Sequence, residues 1–468
     1  MDGHEIIEIP FKELTTIIDY RIEPEYFSKR FIWNENLLLG KPYKIFNQIA
    51  AVYNGRAYSS DSFSSASEIY ISKIGDVTNK REVAAWDKVT KKEFLIQKGS
   101  LLSDGDILMT LTGDPPDVGK TNIVITYEKL CTWNQRVAKV ELLGDDFISN
   151  YALYPVLSSE ICRMQMERFA KGIRQRNLGN DCFSFVMVPI LGADLQKILS
   201  QIVEKHISML KSADYLYLEA ENLMLTALNM ADFVPSDKAT SIKTFSESFG
   251  NVGRLDAEYY QEKYKDIIRS LNISGTISSI CKVYDKNFIP DDNSEYKYIE
   301  LSNVGANGDI SDVQVVQGID LPSRARRIVR RGQIIVSSIE GSLNSCALID
   351  DEFNGALCST GFYVIDSTKI NSESLLVLFK SKPIQALLKQ RCSGTILTAI
   401  SKDEFLNLPL PIIDNEVQKE IADKVQESFR LRKEAKQLLN NAVKAVEMAI
   451  KIDENSAMLW LLAKGVDY

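Results

Sequence analysis

Arg21-Ile22-Glu23-Pro24-Glu25-Tyr26-Phe27 recurs 233 residues later as Arg254-Leu255-Asp256-Ala257-Glu258-Tyr259-Tyr260. The echo keeps an arginine, a carboxylate two residues on, a glutamate and an aromatic pair in one order. A period of about 20 to 50 residues indicates a solenoid, whereas a period this long indicates two copies of a whole domain.

Three further echoes follow in the same sequence. Tyr70-Ile71-Ser72-Lys73-Ile74-Gly75-Asp76-Val77 answers to Tyr298-Ile299-Glu300-Leu301-Ser302-Asn303-Val304, each a short β-prone run. Gly105-Asp106-Ile107-Leu108-Met109-Thr110 answers to Gly332-Gln333-Ile334-Ile335-Val336-Ser337, a glycine turn feeding an apolar strand that runs on to Gly113 or Gly341. Gly172 pairs with Gly394 and Pro189-Ile190 with Pro411-Ile412 at a shift of 222, which continues into Gln196-Lys197 and Gln418-Lys419.

After each mixed module comes a helical pattern of about 35 to 40 residues. Leu195, Leu199, Ile202, His206, Met209, Ala213, Leu216, Ala220, Leu223 and Ala227 alternate steps of four and three, the spacing of a coiled-coil seam. The second seam runs through Val417, Ile421, Leu431, Ala435, Leu438, Ala442, Ala445 and Ala449, interrupted by Lys424 and Ser428. Two seams in one chain pack most simply on each other; the alternative is that each helix packs on its own module. His206, matched by Ser428, reads as a polar register-setting residue. The predicted fold class is α+β: two similar mixed α/β domains, separated and followed by long helices that pair as an antiparallel coiled coil. The expected boundaries are residues 1–190 and 249–412 for the modules, 191–232 and 413–453 for the helices, 233–248 for a linker and 454–468 for a tail.

With 468 residues and 45% hydrophobic content, the chain can bury two ordinary cores. It has no run of eighteen apolar residues, and its first five residues do not read as a signal peptide, so a soluble cytoplasmic protein is expected. Seven cysteines form no CxxC pair, which points to reduced core residues and away from a disulfide framework or zinc site. A net charge of −8 argues against general coating of nucleic acid. Positive charge is instead local. Arg163, Arg168, Lys171, Arg174 and Arg176 crowd one stretch of the first module; Arg324, Arg326, Arg327, Arg330 and Arg331 crowd one of the second.

Several catalytic signals fail. Gly113-Asp114-Pro115-Pro116-Asp117-Val118-Gly119-Lys120-Thr121 has one residue too many between its glycines for a P-loop, and its tandem prolines supply no N–H to a phosphate. Asp114-Pro115-Pro116 is followed by Asp117, not by the aromatic residue that stacks on an extruded base in amino-methyltransferases. His4 and His206 are the only histidines, so imidazole catalysis and His-rich metal sites lack material. Asp145-Asp146 and Asp350-Asp351 read as solvated turns. The chain is expected to bind and not to catalyse.

The ordered double set resembles the specificity subunit of type I restriction-modification systems, over nearly the whole chain. It comprises the Arg-x-acid-x-Glu-Tyr-aromatic opening, the Gly-Asp-Ile-Leu strand leading to Thr112-Gly113 and Val118-Gly119-Lys120, the Gly-containing basic stretch, the Pro-closed strand and the long helix. The resemblance implies two target recognition domains, each contacting one half of a bipartite site in double-stranded DNA, with the helices as an antiparallel spacer. At 1.5 Å per residue, about 38 helical residues span about 57 Å, enough to hold two readers about one DNA turn apart. It also implies two methyltransferase subunits that supply S-adenosylmethionine, no cofactor in this chain, a motor-nuclease subunit in the full complex and no membrane partner. The second copy departs from the first in having Leu343-Asn344-Ser345 where a match to Lys120 is expected.

Arg and Lys pair with phosphates and read guanine, while Gln and Asn suit adenine. On that chemistry the candidates are Arg56, Lys120, Lys171, Arg174, Gln175 and Arg176 in the first module, and Arg324, Arg326, Arg327, Lys389 and Arg391 in the second. A plain surface role is the alternative for each. Tyr26-Phe27 and Tyr259-Tyr260 could stack on bases, but their spacing to Phe31 and Tyr264 reads as one buried helix face. A protein-interaction scaffold with no DNA readout is the competing function.

Overall fold

The structure is a computed structural model and describes residues 7–10, 12, 21–144, 147–172, 175–238, 240–311, 313–394 and 398–466. Two compact units divide the chain, residues 1–211 with 432–468 and residues 212–431, so that each unit holds part of both long helices.

In the first unit, β2 (Ala50–Asn54), β9 (Val137–Leu142), β5 (Ile107–Thr110) and β7 (Thr121–Ile123) form an antiparallel sheet in that order. The strand alternation sends Ile107 and Met109 to one apolar cluster and Leu108 to another, which is why β5 is buried throughout. A second sheet pairs β3 (Ile69–Ser72) with β4 (Asp87–Val89) antiparallel and with β8 (Leu130–Trp133) parallel. Two short ladders complete the unit: β1 (Tyr43–Ile45) with β11 (Met187–Pro189), and β6 (Thr112–Gly113) with β10 (Arg176–Asn177). Helix α1 spans Lys29–Leu39, and α2 (Asn150–Ser158) and α3 (Glu160–Phe169) follow the main sheet. The Ser149 and Ser159 hydroxyls cap α2 and α3 by accepting from the Ala152 and Cys162 amides.

The second unit repeats the order and pairing of the main sheets. Its antiparallel sheet has the order β13 (Cys281–Tyr284), β20 (Phe362–Ser367), β17 (Ile334–Ser337) and β18 (Cys346–Leu348). Ile334 and Val336 enter one cluster and Ile335 another, as in β5. β14 (Glu295–Ile299) lies antiparallel to β15 (Gln314–Gln317) and parallel to β19 (Leu357–Ser359), like β3 with β4 and β8. One strand is added: β16 (Ala325–Ile328), within the second arginine cluster, pairs with β19. β12 (Ile273–Thr276) pairs with β23 (Pro409–Pro411), and β21 (Cys392–Ser393) with β22 (Ala399–Ile400). The matching helices are α4 (Glu262–Ser270), α5 (Ser372–Lys380) and α6 (Lys382–Gln390).

The long helices run over Ala193–Ala227 and Asn415–Lys451. In the first unit Leu195, Leu199, Ile202, Val203 and Ile207 join Leu439, Ala442, Ala445, Val446 and Ala449 in one cluster that also holds module residues such as Leu153 and Val156. Helix segments therefore pack on each other and on the module at once. That explains why the buried stripe is wider than a two-position seam: in the second unit Tyr217 and Met224 are buried beside Ala220, whereas the expected seam residue Ala227 is exposed. His206 Nδ1 lies 2.8 Å from Ala435 O in the first unit. Ser428 Oγ donates to Ala213 O at 2.7 Å in the second. At the 222-residue shift these are the same bond, with His and Ser exchanged. Lys424 also reaches Glu219 at 2.7 Å, so numbering falls on one helix as it rises on the other.

The tail forms a helix over Glu454–Ala463, with Ala457 and Leu461 in the first unit's core. The Gly192 amide donates to Glu454, and Lys41 Nζ donates to Ile452 O at 3.1 Å. None of the described helices is long and apolar enough to cross a membrane.

Candidate nucleic-acid interface

In the first unit, the chain leaves α3 and turns into a glycine hairpin. The amides of Lys171 and Asn177 each donate to the other's carbonyl, at 2.8 and 2.7 Å. Gly172 has φ 124°, and a Cβ there would lie 2.4 Å from Gln175 O, so only glycine fits. The second unit repeats the turn with Gly394 at φ 130° and Ser393 opposite Ala399. In both units the outgoing strand meets the loop after the central strand: Asn177 opposite Thr112, Ala399 opposite Ile339.

Lys171 and Gln175 are exposed on this hairpin, and Lys171 holds Asp181 at 2.9 Å. Hydrogen bonding from Lys171 lowers the Asp181 pKa. Arg176 instead turns inward and donates to Glu167 O at 3.3 Å. Arg174 lies outside the described residues. Lys120 sits on the adjoining loop, 2.7 Å from Asp117, and that loop is tied down by Arg163 donating to Pro116 O and Thr110 donating to Asp117 O. Lys120, Lys171 and Arg176 thus share one end of the unit through the β6–β10 ladder. Arg56 lies elsewhere, at a cleft of about 210 Å³ with Tyr53, Leu101, Trp133 and Lys139. Gly55 before it packs so closely on the Trp133 carbonyl that any side chain would clash.

In the second unit the exposed positive charge flanks the added strand, at Arg324 before it and at Arg330 and Arg331 after it. Arg324 is 61% exposed, contacting Glu300 at 3.1 Å and the Tyr298 hydroxyl at 3.3 Å, and both contacts raise its pKa. Arg326 donates to Ser323 O, while Arg327 is half-buried and donates to Tyr284 O. Arg331, outside the candidate set, is exposed and paired with Asp351 at 3.1 Å. Lys389 is exposed at the end of α6. Arg391 is largely buried against Glu404 at 2.8 Å.

The positive clusters therefore sort into two chemical kinds. Arg168, Arg176, Arg327 and Arg391 spend their N–H groups on carbonyls and carboxylates of their own unit. Lys120, Lys171, Arg324 and Arg331 hold partly exposed carboxylate partners. Such surface pairs are worth about 0–1 kcal/mol, so a phosphate oxygen can displace the carboxylate. The aromatic pairs stay with the framework: Tyr26–Phe27 and Tyr259–Tyr260 both pack edge to face with centroids 5.0 Å apart. Residue spacing did not reveal that Arg21 and Arg254 turn inward as well. A signal was present, since the same arginine precedes the same aromatic pair in both copies.

All seven cysteines are buried and unpaired. Among the described residues no group of three or more His, Cys, Asp or Glu could hold a metal ion.

Neither a family profile nor a curated protein sequence matches the chain. Solved structures similar to it include the type I restriction-modification system S subunit from M. genitalium, with TM-score 0.38, 11% identity, and coverage of 88% of this chain and 95% of that one. The HsdS subunit from Thermoanaerobacter tengcongensis gives TM-score 0.29 and 12% identity, covering 88% and 97%. A chain from work on complex assembly and conformational transition of the type I R-M system gives 0.30 and 11%, covering 88% and 98%.

Proposed function

We propose that this chain is the non-catalytic DNA-specificity subunit of a type I restriction-modification complex. Each module, residues 1–190 and 249–412, reads one half of a bipartite double-stranded site. The helical segments serve as spacer and as docking surface for two methyltransferase subunits, which bring S-adenosylmethionine and the methylation chemistry. A motor-nuclease subunit completes the assembly, in the cytoplasm.

The observation that carries this reading is the repeated framework with unlike exposed side chains. The same main-sheet ladders, glycine hairpin and cap bonds occur in both units. The exposed cations lie on the hairpin and its neighbouring loop in one unit and on the residues flanking an added strand in the other. A duplicated frame with divergent edges suits a target made of two unlike parts.

The test is selection from a pool of randomised duplex DNA by the purified full chain, with and without its methyltransferase partner. Two unlike sequence blocks at a fixed spacing should be enriched. Binding should weaken with salt at a log–log slope of about −0.9 per phosphate contacted. Methylation by the lone chain would overturn the reading. Exposed Tyr215 and Leu218 on the first long helix favour protein docking there; if docking is the whole function, no sequence is enriched.

A further inference from the structure

The repeated opening motif has no place among the exposed cations, although it recurs at the start of both copies. Arg21 is only 13% exposed and Arg254 only 14%. In the first unit, Arg21 Nη1 donates to Arg168 O and Phe169 O at 3.2 and 3.1 Å, and Nη2 donates to Ala170 O at 3.2 Å. These are carbonyls at the end of α3, which the helix itself leaves unsatisfied. In the second unit, Arg254 Nη2 donates to Cys392 O at 2.8 Å. Cys392 corresponds to Ala170 at the 222-residue shift, so both arginines grip the base of the hairpin's incoming strand.

The remainder of the motif holds each guanidinium in place. Arg21 Nε donates to Glu23, and Arg254 donates to Asp256 through Nε and Nη2. The guanidinium lies over the first aromatic ring, 5.0 Å from the Tyr26 centroid and 4.4 Å from the Tyr259 centroid. A return bond closes each loop: Arg168 Nε donates to Tyr26 O and Gln390 Nε2 to Tyr259 O, both at 2.9 Å. On its other side each hairpin is fastened to the loop after the central strand, the matching bonds being the Leu178 amide to Leu111 O and the Ile400 amide to Ser338 O, both at 2.8 Å. The hairpin base is thus held between the opening motif and the loop after the central strand.

We infer that Arg21 and Arg254 are positioning residues that fix the two glycine hairpins for sequence reading and do not themselves touch DNA. This rests on the DNA-reading function proposed above. A planar fork can serve three carbonyls at once, whereas an ammonium cannot reproduce that geometry, so Arg21→Lys keeps the charge and loses the clamp.

Amide hydrogen exchange on the full chain tests the clamp without DNA. In Arg21→Lys, the Lys171, Asn177 and Leu178 amides should exchange about tenfold faster or more, while β2, β5 and β9 keep their protection. Arg254→Lys should do the same to the Ile400 amide and leave the first unit unchanged. Faster exchange throughout the unit, or none at the hairpin, would overturn the inference; Arg21→Gln provides a second variant should the lysine form fail to fold. Selection from the randomised duplex pool then tests positioning: Arg21→Lys should blur one block of the selected sequence and Arg254→Lys the other. Loosened hairpins with both blocks unchanged would reject a reading role for the clamp. If the unsubstituted chain selects nothing, the DNA reading fails, and hydrogen exchange still decides whether the arginines hold the hairpins.

Discussion

The two units are built on one frame but differ at a few buried and edge positions, and those differences have a direction. Where the first unit has His206 bonded to a helix carbonyl, the second has Ser428. Asp76 accepts from the Lys73 amide at 2.8 Å in the first unit; the matching cap in the second is Asn303, accepting from Glu300 at 2.7 Å. Each bond is kept while its ionisable member is replaced by a neutral one. The comparison separates what the frame requires, a polar atom at a given place, from what one unit alone carries, a proton that can leave or arrive.

The largest expected effect tests whether the frames are energetically alike. Leu199 and Ile421 occupy matching helix positions and neither is exposed. Each, cut back to alanine, should destabilise its own unit by about 2–5 kcal/mol, through lost transfer energy plus a cavity. Hydrogen exchange should lose protection in residues 1–211 and 432–468 for Leu199→Ala, and in 212–431 for Ile421→Ala. Equal loss in both units from either change would break the comparison.

Next in size is a pH dependence belonging to the first unit. Burial is the main cause that lowers the His206 pKa to about 4, with Lys80 adding to it and the Ala435 carbonyl opposing. Its folded pKa lies below the unfolded value, so its contribution is full above about pH 6.5 and is lost as pH falls toward 4. Burial raises the Asp76 pKa to about 6, against the Lys73 amide bond and Arg81. Its contribution is full below about pH 3.8 and is lost as pH rises through 6. Each amounts to about 3 kcal/mol at 1.36 kcal/mol per pKa unit, and between pH 4 and 6 they oppose each other. Relative to the unsubstituted chain, Asp76→Asn should therefore make the first unit lose stability on acidification, and His206→Ser should make it gain. Local exchange measured at pH 6.5 and 4.5 checks both signs; the second unit should not respond to either substitution.

If the chain reads DNA as proposed, the exposed cations of the two units should differ in kind. Arg324→Ala should cost about 1–3 kcal/mol of binding and relax preference in one block, as expected for loss of a bidentate base contact. Lys171→Ala should weaken all sequences alike and reduce the salt slope by about 1. Affinities of both variants for the selected duplex and a scrambled one, across a salt series, measure this. The same behaviour from both would mean that the cation on the hairpin and the one beside the added strand serve one role.

Much of the frame was legible in the chain because it depends on local chemistry. The glycine turns, the central apolar strands and the 222-residue register of the helices are written into short stretches. Even the helix end is readable in retrospect: the expected limit of 232 overshoots Ala227 because Asn229 adopts φ 55° and turns the chain, with the Met230 amide donating to Leu225 O. The site was less legible. A run of arginines looks alike whether a guanidinium meets solvent or the protein itself: Arg168 was resolved by Tyr26, far away in sequence, and Arg176 and Arg391 by Glu167 and Glu404 brought back by the hairpin's fold. The extra strand carrying Arg326 and Arg327 depends likewise on its pairing with β19.

The smallest effect probes the carboxylates that hold the exposed cations. Asp181 is exposed and Glu300 partly so, so their pairs with Lys171 and Arg324 contribute at most about 1 kcal/mol to the fold. A phosphate must displace them before it can use the cation. Asp181→Asn and Glu300→Gln remove that competition and one negative charge each, and should raise DNA affinity by about two- to fivefold at low salt, with the gain vanishing as screening increases. The two should not act alike on sequence. Releasing Lys171 should help every duplex equally, whereas releasing Arg324 from its fixed geometry on Glu300 and Tyr298 should help mismatched duplexes most, because that pairing aims the guanidinium as well as occupying it. Competition binding with matched and mismatched duplexes separates the cases; a gain confined to matched DNA would show that Glu300 is only a competitor and that the aim of Arg324 is set by the strand alone.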